Sequence, residues 1–82
     1  MRRINEYDAV RVVALRTEHR SYSGSDNVKR PPQVGDIGTV CFEHDKNNPA
    51  APVIVEMVDA DGLTVWLAEF HLDELELVSR VT

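Results

Sequence analysis

Short runs of apolar and β-branched residues alternate along the chain with segments rich in Gly, Pro, Asn and Asp. Runs of this length, bounded by turn-forming residues, predict short β-strands rather than amphipathic helices. The predicted strands cover residues 9–15, 36–43, 53–58, 63–70 and 76–81, and one short helical turn is expected near residues 72–75. The pattern therefore predicts an all-β domain of five or six short antiparallel strands.

The strands at 53–58 and 63–70 are predicted to form a β-hairpin. Gly62 suits the left-handed backbone position that closes such a turn, because glycine has no Cβ. This turn places Asp59 opposite Leu63, and the alternation of side chains then puts Trp66 on the outside of the sheet. The outer strip of the hairpin would consist of Ile54, Val58, Trp66 and Ala68. An outer strip this apolar requires a cover.

Two covers for this strip compete. In one, Ile4 and Tyr7 or a long loop of the same chain folds over it. In the other, a second copy covers it and the protein is a homodimer, because a large aromatic side chain on an apolar strip is typical of an interface centre. A third arrangement, in which Trp66 points inward, requires a different strand register. The candidate self-association strip is Ile54, Val58, Trp66 and Ala68.

A polar loop at about residues 16–33 is the longest segment without strand character. We expect it to be mobile, because Tyr22 and Val28 are its only sizeable apolar anchors. The loop also carries a basic set with one aromatic side chain. The candidate partner-binding residues are Arg20, Tyr22, Lys29 and Arg30.

The 82 residues, 43% apolar and 28% charged, predict one small domain over 1–82. A single cysteine, Cys41, excludes an internal disulfide, which favours a reducing cytoplasm, and no apolar run is long enough to span a membrane. The net charge of −5 disfavours nucleic acid and anionic membranes. That charge is uneven, since residues 36–82 contain ten acidic and two basic side chains.

The segment 34–40 reads Val-Gly-Asp-Ile-Gly-Thr-Val, and Gly38 permits a bulge or a close backbone approach. It resembles the Gly-x-x-Gly-x-Val segment of small Src-homology-3-like barrels, including KOW-type domains. The wider order of VVAL, GDIGTV, VEMVDADGLTVWL and Glu74-Leu75 resembles the bacterial domain-of-unknown-function 4926 family. The resemblance covers roughly residues 7–78 and implies a single Src-homology-3-like barrel with no established activity. The longer first loop and the extra residues at 46–52 depart from the family pattern.

No group of residues in the sequence has the spacing of a catalytic or metal site. His19, His44 and His71 each lack a second His or Cys at ligand spacing, and the serines near His19 lack a rigidly held base. We therefore predict that the protein is not an enzyme and uses no cofactor or metal. The expected function is a binding or regulatory module that acts through protein–protein interaction. The alternative is an RNA- or ribosome-associated barrel that uses the basic loop at 16–30.

Overall fold

Six antiparallel strands form one sheet in the order β2-β5-β4-β3-β1-β6, which confirms the predicted all-β class. The computed structural model describes residues 4–17, 20–45, 47–48 and 50–80. Glu18 and His19 of the predicted loop, and Val81 at the end of the predicted last strand, lie outside these residues. The strands are β1 (Ala9–Val12), β2 (Tyr22–Ser23), β3 (Ile37–Glu43), β4 (Val53–Val58), β5 (Thr64–Phe70) and β6 (Leu75–Ser79), and a 3-10 turn covers Leu72–Glu74 as predicted.

Strand β2 is the element that the sequence pattern does not predict. Tyr22 pairs with Ala68 and Ser23 with Leu67. Two residues are too short to show a periodic pattern, so only the pairing with β5 identifies them as a strand. Part of the predicted loop therefore belongs to the sheet and forms one of its two edges.

Gly38 marks the close backbone approach that the sequence allows for. A Cβ at Gly38 would lie 2.7 Å from the carbonyl oxygen of Glu56 and 2.8 Å from Cγ1 of Val55. Strands β3 and β4 can approach this closely only because Gly38 has no side chain. The irregularity in β3 lies further along, between Val40 and Phe42.

The turn of the β4–β5 hairpin has the predicted geometry, but the register beyond it differs. The N–H of Asp59 donates to the carbonyl oxygen of Leu63 at 2.9 Å, and Gly62 has a φ of 83°. Val58 pairs with Thr64 as expected, whereas Met57 pairs with Trp66. Val65 is thus an extra, unpaired residue in β5. This bulge moves every later residue of β5 to the opposite face from the one predicted.

Trp66 therefore points into the core, and the predicted self-association strip is wrong at two of its four positions. Trp66 is 0% exposed and Ala68 5%, so neither is available to a second copy. The Trp66 ring packs against the Phe70 ring with centroids 5.3 Å apart. Ile54 and Val58 remain outside. The buried core consists of Val10, Val12, Val40, Val53, Val55, Val65, Trp66, Ala68, Phe70 and Leu75.

Candidate functional site

Arg20 forms a buried ion pair that joins the two edges of the sheet. Its Nη2 donates to Oε2 of Glu74 at 2.5 Å, and the two side chains are 9% and 0% exposed. Arg20 lies just before edge strand β2, and Glu74 lies immediately before edge strand β6. The guanidinium also lies over the Phe70 ring, 4.3 Å from its centroid. This side-chain pair thus connects the beginnings of the two edge strands of the sheet.

Glu74 gathers several donors around one buried carboxylate. It accepts hydrogen bonds from the backbone N–H groups of Arg16 at 2.7 Å and His71 at 2.9 Å, besides the bond from Arg20. Burial raises the pKa of Glu74, but the hydrogen bonds from Arg20, Arg16 and His71 outweigh it and leave the pKa below its ordinary value. The carboxylate is therefore ionised and fully engaged within the fold.

Arg30 is likewise committed to an internal partner. Its guanidinium donates to both oxygens of Asp36, at 2.8 and 3.0 Å. Asp36 also accepts hydrogen bonds from Nε1 of Trp66 and from the N–H of Gln33, each at 2.9 Å. Burial raises the pKa of Asp36, but the hydrogen bonds from Arg30, Trp66 and Gln33 together lower it by more. The pKa of Asp36 is therefore below its ordinary value. The hydrogen bond to Asp36 raises the pKa of Arg30 in turn.

The four candidate partner-binding residues consequently do not form one free basic surface. Arg20 and Arg30 are held in ion pairs, which is a structural use that the sequence does not reveal. Tyr22 belongs to strand β2 and is 37% exposed. Lys29 is exposed and, among the residues that the structure describes, forms no ion pair.

The segment around Gly24 is also closely attached to the sheet. The N–H of Ser25 donates to the carbonyl oxygen of Thr64 at 2.8 Å, and the N–H of Arg30 to that of Val65 at 3.2 Å. A Cβ at Gly24 would lie 2.7 Å from the Val65 carbonyl oxygen. These contacts count against the mobility expected from the low number of apolar anchors.

A different feature open to a partner is the solvent side of the sheet. Alternation along the strands and the pairing of Phe42 with Ile54, and of Glu56 with Leu67, place these side chains on one face. Ile37 (46% exposed), Phe42 (48%) and Val58 (49%) are open to solvent. We call this surface the outer face, and it consists of Ile37, Phe42, Ile54, Glu56, Val58 and Leu67.

Glu56 is a charged group in the middle of the outer face. Its Oε2 accepts a hydrogen bond from the hydroxyl of Thr64 at 2.5 Å, and among the described residues its Oε1 has only the Cys41 thiol at 3.9 Å. No cationic side chain among the described residues pairs with Glu56. Burial raises the pKa of the Cys41 thiol, and the nearby Glu56 charge raises it further, so the thiol has little nucleophilic character at neutral pH.

A second carboxylate flanks the outer face at the end where Phe42 lies. Glu69 is opposite Ile54 in the β4–β5 pairing, and its Oε2 is 2.8 Å from Nε2 of His44. The rings of Phe42 and His44 meet edge to face at 5.3 Å between centroids. The outer face thus combines apolar side chains with carboxylates. Arg11 lies opposite Ile37 in the β1–β3 pairing, at the border of this face, and its guanidinium is paired with Glu76.

The exposed strip predicted from the sequence contains Ile54 and Val58 but not Ile37, Phe42 or Leu67. Glu69 is the signal that points to the correct face. Glu69 lies two positions after Leu67 in β5, so both side chains are on the same side of the strand. The predicted register, which puts Leu67 inside, would therefore turn the Glu69 carboxylate toward the core. A face containing Glu56, Leu67 and Glu69 is better placed in solvent.

Comparisons of the chain with protein-family models, curated proteins and solved structures find no match. In the described ranges, no three His, Cys, Asp or Glu side chains converge as a metal site. The same part of the chain contains no helix with the length and apolar character needed to cross a membrane. Membership of the domain-of-unknown-function 4926 family stays a prediction from the sequence.

Proposed function

We propose that the protein is a non-catalytic interaction module that binds a partner protein through the outer face. The observation that carries this proposal is the exposure of Ile37, Phe42 and Val58, each close to half exposed, on the adjacent strands β3 and β4. Contiguous exposed apolar side chains on a small domain are typical of an interaction surface. Ile54 and Leu67 continue the apolar surface between them.

The state of the buried carboxylates supports the non-catalytic part of the proposal. Glu74 and Asp36 are each held by an arginine and by further N–H donors, and the pKa of each is below its ordinary value. A general acid or base at neutral pH needs a pKa near the working pH. These two groups therefore serve the fold as acceptors that are ionised at neutral pH.

The ion pairs of Arg20 and Arg30 also favour a protein partner over RNA. An RNA-binding barrel needs free cations for the phosphate backbone and aromatic side chains for the bases. Two of the four basic or aromatic loop residues proposed for that role are neutralised by Glu74 and Asp36. The outer face, which carries Glu56, repels phosphate.

A capture experiment with paired surface variants tests the proposal. Val58→Ser removes an apolar side chain from the outer face, and Val34→Ser removes the same side chain from an exposed turn elsewhere. Both positions are open to solvent, so we expect both variants to fold. From an extract of the source organism, the wild type and Val34→Ser should retain a protein that Val58→Ser loses.

Equal retention by all three proteins would contradict the proposed surface. Retention of RNA whose amount falls steeply with rising salt would contradict the proposed class of partner. Circular dichroism of each variant before capture serves as the folding control.

A further inference from the structure

We propose that the partner presents a lysine or arginine side chain, set among apolar side chains, and that Glu56 is the contact for this cation. This inference rests on the proposed function and adds the chemistry of the partner surface. It follows from the hydrogen bonding of Glu56, from the charge balance of the chain and from the position of Glu56 among apolar neighbours.

The hydrogen bonding of Glu56 is incomplete in the free protein. Oε2 receives the Thr64 hydroxyl, while Oε1 receives, from the part of the chain that the structure describes, only a long contact from the Cys41 thiol. A partner that covers Ile54, Val58 and Leu67 also removes Glu56 from water. Burying a carboxylate without a strong donor carries a large desolvation cost, so an entirely apolar partner surface is penalised. A guanidinium or ammonium group supplies the missing donor and balances the charge.

The ion pairs of the described residues argue against a second copy as the source of this cation. Of the six basic residues that the structure describes, all except Lys29 form internal ion pairs with acidic residues. These pairs are Arg11–Glu76, Arg16–Asp73, Arg20–Glu74, Arg30–Asp36 and Arg80–Asp8. A two-fold contact between outer faces would bring Glu56 toward its own copy, which places like charges together.

The apolar neighbours of Glu56 determine how specific this contact is. Leu67 lies directly opposite Glu56 in β5, and Ile54 and Val58 share its face in β4. On the β3 side the residue opposite Glu56 is Thr39, which is uncharged and supplies no cation. A charge pair enclosed by such side chains is shielded from solvent once the partner binds, and it is screened by salt less than a surface pair is. A partner without the cation is excluded by the unpaired carboxylate, which makes Glu56 a selecting group as well as an attractive one.

A random-peptide library displayed on phage, selected on the immobilised wild-type protein, provides the probe. We expect the enriched peptides to combine Lys or Arg with aromatic or aliphatic residues. The affinities of the synthesised peptides are then measured against four proteins: wild type, Glu56→Gln, Val58→Ser and Asp26→Asn. Glu56→Gln keeps an oxygen for the Thr64 hydroxyl, and Asp26→Asn removes the same charge from an exposed turn.

We expect Glu56→Gln to weaken peptide binding by about tenfold or more and Asp26→Asn to leave it within about twofold. Binding that depends on Val58 and is unchanged by Glu56→Gln would overturn this inference and leave the proposed function standing. Binding that depends on neither side chain would overturn both. A library that yields no binder, peptides enriched in acidic residues, or a wild-type protein that sediments as a dimer lost in Val58→Ser would also overturn the inference.

Discussion

Glu74→Gln should be among the most damaging single substitutions in the chain, although it replaces one polar side chain with another of nearly the same shape. The wild-type carboxylate receives Arg20, the N–H of Arg16 and the N–H of His71. The glutamine amide keeps one oxygen but turns an NH₂ toward donors. Arg20 is 9% exposed, and its Nη1 already has no acceptor among the described residues. The substitution therefore leaves a buried cation without a counter-charge.

The expected cost is about 3–5 kcal/mol of unfolding free energy, which is typical of a buried ion pair that loses one partner. A domain of this size has a total stability of about 4–12 kcal/mol. Glu76→Gln is the matched control, because Glu76 also pairs with an arginine at 2.5 Å but the side chains of Arg11 and Glu76 are 43% and 54% exposed. An exposed pair contributes about 0–1 kcal/mol.

Urea unfolding followed by the fluorescence of Trp66 measures both effects. With an m-value of about 1 kcal/mol/M, Glu74→Gln should lower the midpoint by about 3–5 M, and Glu76→Gln should change it by less than about 1 M. Equal midpoints for the two variants would refute the argument that the Arg20–Glu74 pair holds the sheet edges together. A Glu74→Gln protein that is unfolded without urea, beside a folded Glu76→Gln protein, agrees with it.

Three further outcomes are expected. Gly38→Val should lower the unfolding free energy by about 2–3 kcal/mol in the same assay, because its Cβ would lie 2.7 Å from the Glu56 carbonyl oxygen; a loss below about 0.5 kcal/mol would contradict the close packing of β3 and β4. Folding lowers the pKa values of Glu74 and Asp36, so the ionised carboxylates stabilise the folded protein above the unfolded pKa values near 4, and this stabilisation is lost as pH falls below them. A wild-type urea midpoint that is the same at pH 7 and pH 3 would contradict this. Trp66→Phe removes the indole donor to Asp36 and should lower the unfolding free energy by about 1–3 kcal/mol without changing the sedimentation coefficient. An unchanged unfolding free energy would contradict the buried position of Trp66.

The hairpin shows what the amino-acid pattern determines and what it leaves open. The turn geometry is local, and Gly62 and Asp59 are sufficient to predict it. The bulge at Val65 has one local signal, the carboxylate of Glu69, because the other residues on both faces of β5 are mainly apolar and either register buries hydrophobic side chains. Packing against the rest of the sheet stabilises the arrangement in which Trp66 is buried and hydrogen-bonded to Asp36.

The two ion pairs of the loop show a different limit. Arg20 and Glu74 are separated by 54 positions in the chain, and nothing in the sequence near Arg20 indicates a buried acidic partner. From the sequence of the loop alone, its basic residues therefore resemble a free binding surface. The outer face was similarly hidden, because its members come from three strands and meet only after the register of β5 is known.

Titration of the isotope-labelled protein with a peptide selected from the library tests the central claim most directly, because amide chemical shifts report which surface is occupied. We predict the largest changes in β3, β4 and β5, centred on Phe42, Glu56 and Leu67, with small changes over residues 25–33. Changes confined to residues 20–33 would contradict this prediction and would identify the basic loop as the binding site.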